Sequence, residues 1–218
     1  DSFAIESYKR AIRAWEDGFY RDEVVPVEIK SKKGSTIVDH DEDVAKFQGE
    51  EKLRSLPPAF GPGGTITAGN ASKINDGAAA LVVFDDDRKK ALGLKPAARI
   101  LGYANVAMES DWFTIAPIFA IRKLCEQLKI KPSEVDLYEI NEAFAVVPVV
   151  AMRELKLSHE QLNVAGGAVA IGHPIGATGT RLINTVVHAL GVKNKKLGIA
   201  CLCIGGGEAT AIALERCS

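Results

Sequence analysis

AGGAVAIGHPIGATGT, residues Ala165–Thr180, is the stretch from which the fold is read. It is rich in glycine, holds one proline and one histidine, and runs straight into an apolar helical pattern. That composition predicts a strand, a tight glycine-walled turn and a helix start, with His173 at the turn. Glycine lets a backbone take positive φ and come close to a bound group. A histidine fixed by Pro174 beside such a wall is a candidate proton handler. A structural turn around a hydrogen-bonded histidine is the other reading.

Outward from this stretch the pattern alternates. Arg99–Val106 reads as a strand, Ile115–Leu128 as a helix, Val135–Ile140 as a strand and Glu142–Leu155 as a helix. Asn163–Gly167 reads as a strand, Ala177–Leu190 as a helix, and Leu197–Ile204 and Ala209–Glu215 as two final strands. The order βαβαβαββ predicts an α/β fold whose mixed, mostly parallel sheet carries helices on its faces. Such sheets bind ligands at the carboxyl ends of their strands. Asn141 ends the second strand, the His173 turn follows the third, and Cys203 lies near the end of the fourth, so the three are expected to converge.

Upstream, Ser2–Trp15 has helical periodicity and Val24–Ile29 reads as a short strand. Lys30–Arg54 reads as a charged, solvated surface. Ser55–Ser72 is too rich in proline and glycine for regular structure and reads as an ordered binding loop. Ala78–Phe84 is a continuous apolar run, read as a buried strand, and a short helix begins at Asp85.

The 218 residues allow one large domain or two small ones, and 47% hydrophobic with 25% charged residues is ordinary for a globular chain. A net charge of −1 without a basic run gives no reason to expect nucleic acid or an anionic membrane as partner. No apolar run reaches the roughly 18 residues a membrane span needs. Four cysteines without framework spacing point to a reducing compartment. Cys201 and Cys203, expected on opposite faces of their strand, are not read as a zinc pair. The chain opens DSFAIESYKR, without methionine and already helical in pattern. It therefore reads as a fragment or processed product, with any targeting segment upstream.

The candidate groups share one kind of chemistry. His173 can hold or deliver a proton near neutral pH. Cys203 offers a thiol, and the glycines behind it, Gly205–Gly207, offer backbone amides that can stabilise an oxyanion. Asn141 can hold a water or a carbonyl oxygen in a fixed direction. Together they suit acyl transfer or carbanion chemistry on a thioester. Phosphate hydrolysis suits them less, since no cluster of metal-ligating carboxylates accompanies them. Each also has a structural reading: inert packing for Cys203, an N-cap for Asn141 and a hairpin turn for the glycines. His40, His159, His188, Cys125 and Cys217 have no companion motif.

NEAFA at Asn141–Ala145, GGAVAIGHPIGATGTR at Gly166–Arg181 and CIGGG at Cys203–Gly207 together resemble three active-site signatures of the thiolase family, in the family's order. TAGNAS at Thr67–Ser72 and NDGAAAL at Asn75–Leu81 resemble its pantetheine-side loop and the strand that follows. DWFTIAP at Asp111–Pro117 resembles a stretch of the family's short-chain branch. The resemblance runs over essentially the whole chain. It implies the remainder of a loop domain at 1–72, the last strand and helix of an N-terminal half at 73–94, and a C-terminal thiolase domain at 95–218.

The resemblance further implies a Claisen condensation of two acetyl-CoA to acetoacetyl-CoA and CoA, and the reverse thiolysis, through an acetyl-enzyme. By that analogy His173 activates the nucleophilic cysteine and helps bind the thioester oxygen. Cys203 moves the α-proton of the second acetyl-CoA. Asn141 holds a water that completes the first oxyanion site, and the Gly205 amide belongs to the second. Ser72 contacts pantetheine and Phe113 narrows the acyl pocket. Coenzyme A thioesters are then substrates, with no tightly bound cofactor. Potassium could be held by the carbonyls of Ala68, Gly69, Ala71 and Val169, although Phe3 stands where relatives place a tyrosine. The implied partners are an N-terminal thiolase half and further copies in a dimer or tetramer, in the cytoplasm or mitochondrial matrix. A longer-chain 3-ketoacyl-CoA thiolase, or a non-catalytic half that binds a CoA ester, are the alternatives.

Two departures qualify that picture. The family's acylated cysteine lies in a C-A-S-G-M-K-like motif that does not occur here, and Cys125 in KLCEQLK is no substitute. The chain alone is therefore expected not to turn over, and Ala78–Phe84 to lack its strand neighbours. Glu208 also follows the glycine turn where small or apolar residues are usual, which alters the pocket mouth.

Overall fold

The computed structural model describes residues 1–217. The first helix, α1 (Ser2–Glu16), forms where apolar side chains recur at helical spacing and buries Phe3, Ile5, Tyr8 and Ala11. An exposed antiparallel hairpin follows, made of β1 (Val27–Ser31) and β2 (Gly34–Val38), and then the short helices α2 (Glu42–Ala45) and α3 (Glu50–Arg54). The strand expected at Val24–Ile29 thus begins later, and the charged stretch holds structure that its polarity concealed. The hairpin pairs only with itself and has no buried face: Val27 and Ile29 alternate with Glu28 and Lys30 in β1 but stay exposed, and β2 carries no such alternation. The loop from 55 to 72 makes only isolated bridges, Pro58 with Thr67 and Ala71 with Phe144.

Ala78–Phe84 corrects an expectation. The run forms no strand, and Val82 is 87% exposed. Strand amides and carbonyls need a neighbouring chain, and no described segment pairs with this one. After it, α4 (Asp86–Leu92) is capped by Asp85, whose carboxylate accepts the Arg88 amide.

Four strands and four α-helices follow among the described residues: β3 (Ala98–Ala107), α5 (Ala116–Leu128), β4 (Leu137–Ile140), α6 (Val146–Leu155), α7 (Ala168–Ile171), α8 (Thr178–Val192), β5 (Leu197–Ile204) and β6 (Glu208–Arg216). The four strands form a mixed sheet in the order β3-β6-β5-β4. Its parallel pairing is confined to β4 with β5, and the other two pairs are antiparallel. The parallel share is smaller than the alternation predicts because 163–167 forms no strand and meets β4 only beside an isolated Leu162–Tyr138 bridge, where the Asn163 amide donates to the Tyr138 carbonyl. Asn163 and Gly166 take φ of 47° and 83°, which breaks an extended run. None of the described helices is long and apolar enough to cross a membrane.

Packing on the two faces follows from alternation along the strands. Ile199, Cys201 and Cys203 of β5 and the alanines 209, 211 and 213 of β6 share one core with Ile121 and Leu124 of α5. Ala200 of β5 and Leu214 of β6 share another with Leu182 and Val186 of α8. Alanine at every second position of β6 leaves room for α5 to lie close to the sheet. Cys201 and Cys203 therefore face the same way, not opposite ways, since positions two apart on a strand share a face. For the site the decisive point is topological. β4 and β5 run parallel with Ile140 beside Cys201, so their carboxyl ends emerge at one edge.

Candidate active site

Asn141 extends the β4 pairing by one hydrogen bond, its amide donating to the Cys201 carbonyl at 2.9 Å. It is fully buried, and its Nδ2 lies 3.3 Å from Nε2 of His173. The N-cap reading fails, because α6 starts only after Ala145. Asn141 Oδ1 is buried and has no partner among the described residues, which leaves an acceptor free to orient a water or a polar ligand group.

His173 hangs from a backbone that requires glycine. Gly172 has φ of 90°, and a Cβ there would strike the Asn75 side chain. The His173 amide donates to the Lys73 carbonyl at 3.0 Å, which fastens the turn to the end of the loop 55–72. The tautomer follows from the neighbours. Thr178 Oγ1 lies 2.9 Å from the Pro174 carbonyl, which can only accept, so the hydroxyl proton points there. Its oxygen then accepts from His173 Nδ1 at 2.7 Å. Neutral His173 thus carries its proton on Nδ1 and turns the Nε2 lone pair toward the Asn141 amide. Burial, with the Arg181 charge adding to it, holds the imidazole below its ordinary pKa. The ring is a neutral base at pH 7.

Cys203 sits in the apolar core at 8% exposure, and burial pushes its thiol up to about 11, so it keeps its proton. It stands two positions, roughly 7 Å, beyond Cys201 on β5, at the edge where Asn141 emerges. The structure thus joins Asn141 and His173 by direct contact and brings Cys203 to the same edge through the strand.

The glycine turn is a hairpin, closed by the Gly207 amide donating to the Ile204 carbonyl at 3.0 Å. Gly207 has φ of 100°, and a Cβ would strike the Met108 carbonyl. Yet the Gly205 and Gly206 amides donate to nothing among the described residues, so a hairpin and a pair of free donors coexist. The Glu208 carboxylate folds back over Gly206, with Oε2 buried and unpartnered.

The loop lies against the segment after Asn141. The Ser72 amide donates to the Ala143 carbonyl, and the Ala145 amide to Asn70. Phe113 meets Phe144 with ring centroids 6.2 Å apart, and Phe60 meets Phe144 at 6.1 Å. The carbonyls of Ala68, Gly69 and Ala71 accept no backbone hydrogen bond from the described residues, and Val169 lies in α7. Phe3 adds no oxygen and stacks on His159.

Sequence reasoning assigned no role to Thr178, Glu142 or Glu139. Glu142 is fully buried, with Ser7, Asn163 and the Val169 amide donating to it. The one available signal was an acid directly after Asn141 inside an otherwise apolar run. Glu139 is buried too, 3.3 Å from Arg181. Burial, aided by Glu142 and Glu23 and opposed by Arg181, pushes its carboxyl up to about 8. A carboxyl that binds its proton more tightly when folded contributes stability below its unfolded pKa, and that contribution disappears as pH rises through about 8. Relative to Glu139→Gln, the wild type should lose on the order of 4 kcal/mol between pH 5 and pH 9. Urea melts at the two pH values measure this, and curves that run parallel would contradict it.

Residues 94–216 match the family model "Thiolase, C-terminal domain", and residues 1–87 match "Thiolase, N-terminal domain". A probable acetyl-CoA acetyltransferase of Dictyostelium discoideum is 48% identical over 217 residues, covering 99% of this chain and 52% of that protein. The crystal structure of the Bacillus anthracis acetyl-CoA acetyltransferase superposes with a TM-score of 0.97 at 40% identity, over 100% of this chain and 55% of that one. Acat5 thiolase from Ascaris suum, solved in complex with coenzyme A, superposes with a TM-score of 0.88 at 42% identity, with the same coverage. The chain thus spans about half the length of the relatives it matches.

Proposed function

Because this chain belongs to the thiolase family, we propose that it supplies His173, Cys203 and Asn141 to the active site of an acetyl-CoA C-acetyltransferase. The observation that carries the proposal is the geometry of the imidazole: Nδ1 lies against Thr178 and Nε2 beside Asn141, at the edge that Cys203 also reaches. A thiol nucleophile needs a base of this kind. Nε2 takes the thiol proton and then, as N–H, donates to the thioester oxygen. Asn141 Oδ1 orients the water that shares that oxygen. In the second step Cys203 exchanges a proton with the α-carbon of acetyl-CoA, and the Gly205 amide stabilises the enolate oxygen. Ser72 and its loop hold the pantetheine arm, and Phe113 against Phe144 narrows the acyl end; the likeness to the Ascaris thiolase solved with coenzyme A supports a coenzyme A ligand. Coenzyme A thioesters enter as substrates, and no tightly bound cofactor takes part. Potassium, if held by the carbonyls of Ala68, Gly69, Ala71 and Val169, would brace the loop. A titration of the full-length enzyme without response removes it.

The proposed division is loop domain at 1–72, the end of an N-terminal half at 73–94 and the C-terminal domain at 95–218. No cysteine motif of the acylated type occurs in the chain, so the nucleophile comes from an N-terminal half that docks on the exposed run 78–84. The whole assembles as a dimer or tetramer in a reducing compartment, cytoplasmic or mitochondrial. The test compares the full-length protein with the purified 218-residue chain in thiolysis of acetoacetyl-CoA by CoA. Turnover is expected only from the full-length protein. Stoichiometric acetylation of the isolated chain would overturn its inactivity. A preference for long acyl chains would make the enzyme a longer-chain 3-ketoacyl-CoA thiolase. Binding of CoA esters without any turnover by the full-length protein would leave the non-catalytic reading.

A further inference from the structure

We propose that Glu142 is a positioning residue whose buried carboxylate locks the Asn141 end of β4 to the glycine turn that carries His173; the inference rests on the thiolase reading above. Both oxygens are engaged. Oε2 accepts from Ser7 Oγ at 2.7 Å and from the Val169 amide at 3.1 Å, and Oε1 accepts from Asn163 Nδ2 at 2.8 Å. Asn163 simultaneously grips β4, since its Oδ1 accepts the Ile140 amide and its Nδ2 donates to the Ile140 carbonyl, both at 2.9 Å. Ser7 Oγ accepts the Gly167 amide at 3.0 Å. One side chain therefore ties the residue before Asn141, through Asn163, to two amides in the short segment that ends at His173.

Consecutive residues hold the two ends of that segment. Asn141 touches His173, and Glu142 touches Val169 and, through Ser7, Gly167. Gly167 is glycine because a Cβ would strike the Glu142 carboxylate. Every partner is a donor, and only a carboxylate accepts on both oxygens. Burial raises the Glu142 pKa, and the hydrogen bonds from Asn163, Ser7 and Val169 hold it back toward the ionised form. A glutamine must aim its NH2 either at Asn163 Nδ2 or at Ser7 and Val169. Asn163 cannot turn over to accept it without losing its two bonds to Ile140. Catalytic geometry is sensitive to such a displacement, and a shift of about 1 Å can cost on the order of 100-fold in rate.

The experiment measures acetoacetyl-CoA thiolysis by the full-length protein and its Glu142→Gln variant, with pH profiles and thermal melts. The expected result is a folded variant with kcat lower by about 10- to 100-fold, KM for CoA within about threefold, and a displaced acidic limb of the kcat profile. A folded variant with kcat within about threefold and an unmoved limb overturns the proposal. If Glu142→Gln does not fold, Ser7→Ala decides, because it cuts the link to Gly167 and leaves the carboxylate in place. A loss of about threefold or more with a moved limb sustains the proposal, and wild-type behaviour overturns it. If the wild type performs no thiolysis, the functional reading has failed on its own. The crystal structure of Glu142→Gln then decides, since Asn141 and His173 drawn apart sustain the positioning role and an unchanged contact ends it.

Discussion

His173→Ala should lower kcat for thiolysis in the full-length protein by about 1,000-fold or more, with KM for CoA altered little. A positioned general base contributes roughly 100- to 10,000-fold, and in the proposed mechanism the same nitrogen also serves the oxyanion after it has taken the proton. Both contributions arise in the transition state, so the loss falls on kcat. The neighbours dictate the pH dependence as well. Burial and Arg181 lower the imidazole pKa, so the free-base form survives to a more acidic pH than an exposed histidine would allow. The acidic limb of the wild-type profile should therefore lie below pH ~6.5, and it should vanish in the residual activity of the variant. His173→Asn separates charge from shape: it keeps a polar group against Thr178 but cannot take a proton at neutral pH, so it should be as inactive as the alanine. Steady-state rates at saturating substrate are the measurement. A loss smaller than tenfold would show that His173 is the structural histidine of a glycine turn.

Much of this arrangement was legible because it depends on local pattern. A strand running up to Asn141 and another carrying Cys203 near its end can be seen from their apolar runs, and the helical patterns between them favour a parallel arrangement. Three misjudgements have physical causes. The hairpin 27–38 has no buried face, and its second strand, GSTIV, carries no alternation to mark it within a charged stretch. The run 163–167 looks apolar enough for a strand, but positive φ at Asn163 and Gly166 turns it into a bracket for α1 and Glu142. Ala78–Phe84 has the composition of a buried strand, and composition says nothing of whether a partner strand lies beside it. What stayed hidden altogether were polar contacts between distant residues. Ser7 and Glu142 are 135 positions apart and touch at 2.7 Å. Neither residue type nor spacing reveals that a serine on an amphipathic helix closes the circuit behind an active-site loop. Thr178 lay inside a motif already under scrutiny, yet its role appears only when the Pro174 carbonyl decides which way its proton points.

Cys203 is where the structural and catalytic readings part most sharply, because the fold satisfies both. It is buried among alanines and isoleucines, as an inert cysteine would be, and the same burial gives its thiol a pKa of about 11. A thiol that weakly acidic is a poor nucleophile at pH 7, but its conjugate base is strong enough to take a proton from carbon if the enolate is stabilised at once. The free Gly205 amide is the group available for that. If Cys203 acts in this way, Cys203→Ala should split the two half-reactions. Acetylation of the full-length protein by acetyl-CoA, followed by mass spectrometry, should proceed within about tenfold of wild type, since His173 and Asn141 remain. Condensation, and deuterium uptake into the methyl group of acetyl-CoA in D2O, should fall by about 1,000-fold. Cys203→Ser should lie close to the alanine variant, because a hydroxyl is far less acidic than a thiol and would stay protonated. Packing alone predicts a different pattern: a stability loss of about 1 kcal/mol on truncation, with both half-reactions intact. A Cys203→Ala protein that exchanges deuterium at the wild-type rate would return this residue to the core and leave carbon acid chemistry without a base in this half of the molecule.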